Sequence, residues 1–154
     1  MPATASLYDA GVWLALAFAS HPFHPQARAV FEQADSSQPA AFCRATQTSF
    51  LRLLTTKSIC HAYGCDPIPN SKAWAKCAEL PQLPQVTWLA EPSEIESEWS
   101  RCATLDSASP KIWMDAYLAA FAVCSGIPLV SLDKDFLRFQ PHGLQLQLIE
   151  PERS

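Results

Sequence analysis

Several features are missing from this chain of 154 residues, and each absence narrows the class of protein. The first twenty residues contain no lysine or arginine, and Asp9 interrupts their apolar run, which is unlike a signal peptide or a membrane span. The six cysteines form no C-x-x-C pair. The nearest approach to a metal cluster, Cys60-His61 with Cys65, lacks the four ligands of a structural zinc site. We therefore expect a cytoplasmic protein with reduced thiols and no membrane association.

Basic residues are also few. Eleven Lys and Arg stand against 15 Asp and Glu, which gives a net charge of -4. Such a chain has no overall basic surface for nucleic acid, so any nucleic-acid site has to be local or has to meet phosphates through metal ions. The apolar fraction of 49% and the charged fraction of 17% are typical of globular proteins. Since no internal repeat or domain boundary is visible, we predict a single domain over residues 1–150 and a tail over residues 151–154.

The most informative stretch covers residues 113–136, which predict a helix, a tight turn and a short buried strand. Apolar residues recur at helical spacing until Gly126, which stands where a helix C-cap belongs, and a proline two residues later cannot continue the helix. The apolar residues that follow are typical of an inner strand of a parallel sheet. Asp115 lies in the first turn of this helix, and Asp133 and Asp135 follow the strand.

The rest of the chain also alternates between short apolar segments and helical patterns. The first apolar segment ends at Asp9, just before a helix, and residues 40–43 lead into a helix that carries Gln47. Residues 86–89 predict a third strand, and residues 145–149 a final strand at an edge of the sheet. This order predicts an α/β fold, a three-layer α/β/α domain whose mainly parallel sheet is covered by helices on both faces.

Some of the polar residues also have ordinary structural explanations. Asp9 can be a helix N-cap as well as a site residue, because Asp is favoured at that position. Ser93 and Glu96 have the spacing of a capping box, so we interpret the acids within residues 91–98 as favourable charge at a helix start. Residues 60–71, which are rich in proline and glycine, predict an irregular connection.

Three acids therefore stand at the ends of predicted elements. Asp9 and Asp133 follow strands, Asp115 opens a helix, and Asp135 is nearby in the sequence. In parallel sheets, ligands bind outside the carboxyl ends of the strands. Carboxylates gathered there repel one another, and hard oxygen ligands suit Mg²⁺ or Mn²⁺. Such an ion can activate water and stabilise the charge of a phosphodiester under attack. The pattern thus indicates hydrolysis at phosphorus.

These segments resemble the PIN domain and, within it, the VapC-type toxins of bacterial toxin–antitoxin pairs. The resemblance covers nearly the whole chain and rests on Tyr8-Asp9, on the segment TQTSFLRLL, on WMDAYLAAF around Asp115 and on VSLDKDF around Asp133. It implies a single α/β/α domain, a Mg²⁺-dependent endoribonuclease, a homodimer and inhibition by a small VapB-like antitoxin. Carried over by residue, it implies that the metal is held by Asp9, Asp115, Asp133 and, as an auxiliary, Asp135.

One position departs from the family pattern. VapC-type chains often place a Glu in the first turn of the helix after the second strand, where this sequence has Gln47. A Gln carbonyl can ligate a hard cation or orient a water, but it brings no charge and cannot act as a base. Two alternatives therefore remain open: a nuclease in which Gln47 takes part in catalysis, and a catalytically silent PIN-fold binding module. A small-molecule phosphatase of the acid-cluster type is disfavoured, because Gly11 stands where an Asp-x-Asp motif needs its second acid.

For the nuclease, we expect in-line attack of water on an RNA phosphodiester, which leaves 5′-phosphate and 3′-hydroxyl ends. The expected substrate is a structured loop of a tRNA or rRNA, since an acidic chain does not favour tight non-specific binding. Exposed aromatic side chains are expected to stack on its unpaired bases. The predicted substrate contacts are Arg44, Arg52, Lys111 and Lys134, although Arg52 can equally have a structural role.

Overall fold

Five short parallel strands form a single sheet in the computed structural model, which describes residues 4–150. The sheet order is β3-β2-β1-β4-β5, so that β1 lies at the centre. The final strand, β5, lies at an edge, as predicted. The strands are β1 (Ser6–Tyr8), β2 (Ala40–Phe42), β3 (Val86–Trp88), β4 (Leu129–Ser131) and β5 (Leu146–Leu148). The predicted tail, residues 151–154, lies outside the described residues.

Helices connect the strands in the predicted alternation. Within residues 4–150 the α-helices are α1 (Ala10–Ala17), α2 (His24–Phe31), α3 (Arg44–Leu54), α4 (Lys57–Ala62), α5 (Asn70–Glu79), α6 (Ile95–Ala103) and α7 (Ile112–Ser125). Two 3₁₀ segments, Leu80–Gln82 and Lys134–His142, follow α5 and β4. In this part of the chain no helix is long and apolar enough to cross a membrane.

Each face of the sheet carries its own hydrophobic core. Leu7 and Leu129 point into the core beneath α6 and α7, whereas the next residues along the same strands, Tyr8 and Val130, point into the core beneath α1 to α5. Successive strand residues face opposite sides of a sheet, so a strand buried on both sides has to be apolar throughout. The three-layer α/β/α prediction is confirmed.

A row of aromatic side chains joins α1 to the sheet. Trp13 lies flat on Phe42, with ring centroids 4.0 Å apart and an angle of 9° between the planes. Phe42 in turn contacts Trp88 at the end of β3, at a centroid distance of 5.2 Å. Trp13 and Phe42 are buried, but Trp88 keeps 38% of its surface exposed. The buried rings thus support one large aromatic side chain at the surface.

Two local predictions are wrong. The capping box does not form, because α6 begins at Ile95 with Glu94 at its N-cap and without a side-chain cap hydrogen bond. Glu96 still lies in the first turn, in agreement with its interpretation as favourable charge at a helix start. The connection predicted over residues 60–71 is not irregular throughout, because α4 extends to Ala62.

Helix α4 has only six residues and ends in a glycine turn, and for this reason the sequence pattern did not reveal it. Gly64 adopts a left-handed conformation with φ of +74°, and the N–H of Cys65 donates to the carbonyl of Cys60 at 3.0 Å. This is the hydrogen bond of a Schellman motif, which satisfies the last carbonyls of a helix. One buried residue, Cys60, holds the helix against α3 through a thiol that donates to the carbonyl of Leu54 at 3.3 Å. So short a helix leaves little periodicity to detect.

The glycine at the end of α7 allows a test of how much its left-handed backbone conformation affects stability. Gly126 has φ of +67°, and a Cβ added there meets no atom within 4 Å, so a substitution is strained only by the backbone. We expect Gly126→Ala to lower the free energy of unfolding by about 1–2 kcal/mol. Gly11→Ala, in the ordinary helical backbone of α1 and also without a steric conflict, should raise it by about 0.5–1 kcal/mol. Urea unfolding of both variants measures the two values, and a shift of the same sign in both would contradict this explanation.

Candidate active site

The carboxyl ends of β1 and β4 lie next to each other, at the end of the sheet where all five parallel strands terminate. Tyr8 pairs with Val130, and the N–H of Asp9 donates to the carbonyl of Val130 at 3.0 Å. Asp133 follows β4 by two residues, so this register brings the loops after both strands together. The sequence placed these acids at the carboxyl ends of strands, and the pairing of β1 with β4 makes those ends neighbours.

Asp115, Asp133 and Asp135 form an acidic cluster in which one carboxylate oxygen of each residue lies within 4.8 Å of the other two. Asp115 comes from the first turn of α7 and is partly buried, while the other two are exposed. Asp133 caps the 3₁₀ segment, since its Oδ1 accepts a hydrogen bond from the N–H of Asp135 at 2.8 Å. Three carboxylates that small side-chain adjustments can bring onto one ion fit a hard divalent cation such as Mg²⁺ or Mn²⁺.

Asp9 lies beside this cluster. Among residues 4–150, the mutually close group contains the other three acids and not Asp9. Asp9 occupies the N-cap position of α1 but makes no side-chain cap hydrogen bond, and its Oδ2 instead accepts from the hydroxyl of Ser131 at 2.9 Å. Burial raises the pKa of Asp9, the hydrogen bond from Ser131 opposes that rise, and the charge of Asp133 adds to it. Asp9 is therefore electrostatically part of the site, although a role as metal ligand stays a prediction.

Burial and the other three acids together change the protonation of Asp115. Its pKa is raised to about 6, first by burial and then by the charges of Asp133, Asp9 and Asp135. The guanidinium of Arg138 opposes this rise. A carboxyl group with such a pKa is readily ionised when a cation is bound beside it, because the cation offsets the repulsion.

The sequence analysis missed two residues of the site, Ser131 and Arg138. Ser131 is completely buried, donates to Asp9 and accepts a hydrogen bond from the N–H of Asp133 at 3.0 Å, so its hydroxyl ties the two acids together. A serine inside an otherwise apolar strand was the signal that could have revealed it. Arg138 comes from the 3₁₀ segment after β4, which the sequence pattern did not predict, and it gave no comparable signal.

Gln47 is buried in the first turns of α3, directly after β2 and one strand away from Asp9. Its Oε1 accepts a hydrogen bond from Nη1 of Arg44. The guanidinium of Arg44 also lies over the ring of Trp88, 5.8 Å from its centroid. Arg44 thus connects Gln47 to the exposed aromatic side chain at the end of β3.

The other predicted substrate contacts differ in position. Lys134 stands between two acids of the cluster, and Lys111 precedes α7 at its N-cap; both are exposed. Arg52 is also exposed, but it lies eight residues beyond Arg44 on α3, about 12 Å along the helix axis. It lines a separate groove with Trp74. The structure therefore does not bring Arg52 to the acids.

Comparisons with known proteins agree on one family. No protein-family model matches the chain. Ribonuclease VapC41 of Mycobacterium tuberculosis is 41% identical over 144 residues, which cover 93% of this chain and 97% of that protein. Ribonuclease VapC31 of the same organism is 33% identical over 135 residues, which cover 86% of this chain and 92% of the relative.

Solved structures share the fold at low sequence identity. VapBC2 from Rickettsia felis, bound to a DNA fragment from its promoter, has a TM-score of 0.63 at 11% identity and covers 96% of this chain and 99% of that one. VapBC-1 from nontypeable Haemophilus influenzae has a TM-score of 0.63 at 13% identity, with coverage of 94% and 97%. VapC20 of Mycobacterium tuberculosis, a toxin that cleaves the sarcin–ricin loop, has a TM-score of 0.60 at 17% identity, with coverage of 90% and 95%.

A three-layer domain with a parallel sheet and acids at its carboxyl edge defines the class of PIN-domain nucleases. Within that class, the chain belongs to the VapC family of ribonucleases, the toxins of toxin–antitoxin systems. The ribonuclease prediction is thereby confirmed, and nothing in the comparisons favours the catalytically silent binding module. The family depends on divalent metal ions, and the acidic cluster that such an ion needs is present.

The raised pKa of Asp115 yields a prediction about stability. Because the pKa of this carboxyl is about 6 in the folded chain, against an ordinary value of 3.8, the ionised form opposes folding at neutral pH. In EDTA at pH 7.5, Asp115→Asn should therefore be more stable than the wild type, on the order of 1 kcal/mol after solvent screening, or about 2–4 °C in Tm. The advantage should shrink as the pH falls through 6 towards 4, where the wild-type carboxyl takes up its proton.

Thermal unfolding between pH 4.5 and 8 measures this difference. Asp106→Asn is the matched control, since Asp106 is an exposed acid in the loop before α7, and its Tm should stay close to the wild type. Addition of Mn²⁺ should stabilise the wild type by mass action and should do so much less for Asp115→Asn. A destabilised Asp115→Asn at pH 7.5 in EDTA would contradict the electrostatic explanation.

Proposed function

We propose that this chain is a Mg²⁺- or Mn²⁺-dependent endoribonuclease whose metal site consists of Asp115, Asp133 and Asp135, with Asp9 beside them. The observation that carries the proposal is the cluster of three carboxylates within 4.8 Å of one another. Like charges at this separation repel, and a divalent cation removes the repulsion. When bound, the cation would activate water and stabilise the negative charge of the phosphodiester under attack.

The residues of the chain itself provide orientation. Ser131 holds Asp9 by donating to its Oδ2, and it fixes the loop after β4 by accepting from the backbone of Asp133. Arg138 supplies positive charge next to Asp115. Lys134, between the acids, is free to meet a substrate phosphate. Water attacks phosphorus in line as the bond to the 3′-oxygen breaks and that oxygen takes up a proton, so the products carry 5′-phosphate and 3′-hydroxyl ends.

Gln47 is proposed to orient rather than to transfer a proton. Its amide cannot act as a base, and its oxygen already accepts a hydrogen bond from Arg44. Its role is therefore to hold Arg44 near the RNA or, when Arg44 moves, to present its oxygen to a water. Gln47→Ala should retain activity at about a tenth to a hundredth of the wild type, as expected for a residue that supports ligands without being one.

Cleavage of total bacterial RNA tests the function directly. Wild-type protein with Mg²⁺ or Mn²⁺ should make discrete cuts, while EDTA or Asp115→Asn should abolish them, because both remove the bound cation. Mapping of the ends should find 5′-phosphates. Cyclic phosphate ends, which arise from attack by the RNA 2′-hydroxyl, would refute the proposed chemistry, and cuts by Asp115→Asn at the wild-type rate would refute the metal site.

The expected partners follow from the family. A VapB-like antitoxin is proposed to neutralise the chain, supported by the two solved relatives that are VapBC complexes. The proposed substrate is a structured loop of a tRNA or rRNA in the cytoplasm. In support, VapC20 is named for cleavage of the sarcin–ricin loop, and the net charge of -4 disfavours non-specific binding.

A homodimer is proposed as the functional state. Three large apolar side chains are exposed around the start of α7 and the 3₁₀ segment after β4, and a dimer interface would cover such a surface. They are Trp113, Met114 and Leu137. Analytical ultracentrifugation of the wild type and Trp113→Glu should give a dimer and a shift towards monomer, respectively. A monomeric wild type at micromolar concentration would refute the dimer.

A further inference from the structure

A groove of about 600 Å³ opens at the carboxyl ends of β2 and β3, the same end of the parallel sheet at which the acids lie. We call it the Trp88 groove. Its functional side chains are Arg44, Trp88, Glu91 and Tyr117. None of the acids of the metal cluster lines it, so it is a separate surface from the metal site.

The order of the strands gives the distance between the Trp88 groove and Asp9. Trp88 is the last residue of β3, in register with Phe42 at the end of β2, and β2 lies beside β1. Strands in a sheet are about 4.8 Å apart, so the groove begins about 10 Å from the end of β1, where Asp9 lies. A short stretch of extended single strand spans that distance. An RNA whose cleaved bond lies near Asp9 can therefore place a nearby nucleotide at the Trp88 groove.

The chemistry of the groove suits a nucleobase. The indole of Trp88 is 38% exposed and is supported from within the core by Phe42 at 5.2 Å. Arg44 lies over the same indole at 5.8 Å. Aromatic rings and guanidinium planes are the side chains on which proteins stack unpaired bases.

The opposite wall of the groove is held in place. Tyr117 donates a hydrogen bond from its hydroxyl to Oε1 of Glu91 at 2.6 Å, and Trp99 packs edge-on against its ring at 5.4 Å. A carboxylate in this position accepts hydrogen bonds from the amino groups of bases. Burial and the neighbouring Glu91 raise the pKa of Tyr117, so its hydroxyl stays protonated and keeps its role as a donor.

We propose that the Trp88 groove binds an unpaired nucleobase of the RNA substrate, next to the cleaved bond, with the base stacked on the indole of Trp88. The proposal rests on the proposed ribonuclease function. A base between the indole of Trp88 and the guanidinium of Arg44 needs one stacking distance on each side, about 7 Å in all. The guanidinium now lies 5.8 Å from the ring centroid, so Arg44 has to move outward to cover the other face of the base. Arg44 is exposed and can do so. Glu91 then accepts a hydrogen bond from the amino group of the base.

Fluorescence of 2-aminopurine tests the stacking without any cleavage. The probe is a single-stranded cytidine hexamer with one central 2-aminopurine, whose emission is quenched when the base stacks on an aromatic ring. The protein carries Asp115→Asn and the buffer contains EDTA, so the probe stays intact. We expect saturable quenching, and we expect Trp88→Ala to weaken the apparent affinity at least about fivefold. Trp88→Phe should retain most of it, which separates loss of stacking from a folding defect.

Trp74→Ala is the matched control. Trp74 is 60% exposed on α5 and lies in a different groove, so its removal should leave the quenching unchanged. With Asp115 restored and metal added, Trp88→Ala should raise KM for the cleaved RNA by a similar factor with little change in kcat, because stacking binds substrate and transition state alike.

The outcomes separate this proposal from the ribonuclease function. Equal quenching by the Trp88→Ala and parent proteins overturns the base subsite, and so does a Trp88→Ala enzyme with an unchanged KM. If Trp88→Ala leaves RNA binding intact but weakens binding of the antitoxin, the groove is a protein-binding surface and the proposal is also overturned. If quenching depends on Trp88 while the wild type cuts no RNA with either metal, the subsite stands and the proposed function fails.

Discussion

Three carboxylates within 4.8 Å of one another, with a fourth close enough to raise the pKa of Asp115, repel each other unless a cation lies among them. The fold tolerates this repulsion because the elements that carry the acids cannot move apart. β1 and β4 are paired at the centre of the sheet, and α7 is packed along one of its faces. Ser131, completely buried, ties Asp9 to the backbone of Asp133. The proposed metal site is therefore preorganised for a cation at the expense of stability without one.

The same arrangement shapes the surface around the acids. All five strands are parallel, so the loops that follow them share one edge of the sheet. β1 and β4 contribute acids to that edge, while β2 and β3 contribute Arg44 and Trp88. The stack of Trp13, Phe42 and Trp88 connects the buried core to this second part of the edge. In our proposals, cleavage chemistry and RNA recognition thus occupy neighbouring strands of one sheet.

Gln47 fits this division of roles. A Glu at this position would add a further negative charge near the acids and would pair with Arg44 as an ion pair. The neutral amide accepts a hydrogen bond from Arg44 without cancelling its charge. The pair of Gln47 and Arg44 therefore keeps a net positive charge beside the indole of Trp88, whereas a Glu–Arg pair would be neutral. In a chain with a net charge of -4, a local cation of this kind is what can attract a phosphate backbone.

The sequence by itself determined the alternation of strands and helices, the end of α7 at Gly126 and the acids that follow the strands. These features follow from hydrophobic periodicity and from the backbone freedom of glycine, which act over a few neighbouring residues. Only the tertiary structure decided that Asp135 completes the close group while Asp9 stands beside it, and that Ser131 connects them. It also decided that Arg138 lies near Asp115 and that the Trp88 groove opens at the same end of the sheet as the acids. The physical reason is that these distances depend on strand register and on the packing of distant segments, which no local pattern encodes.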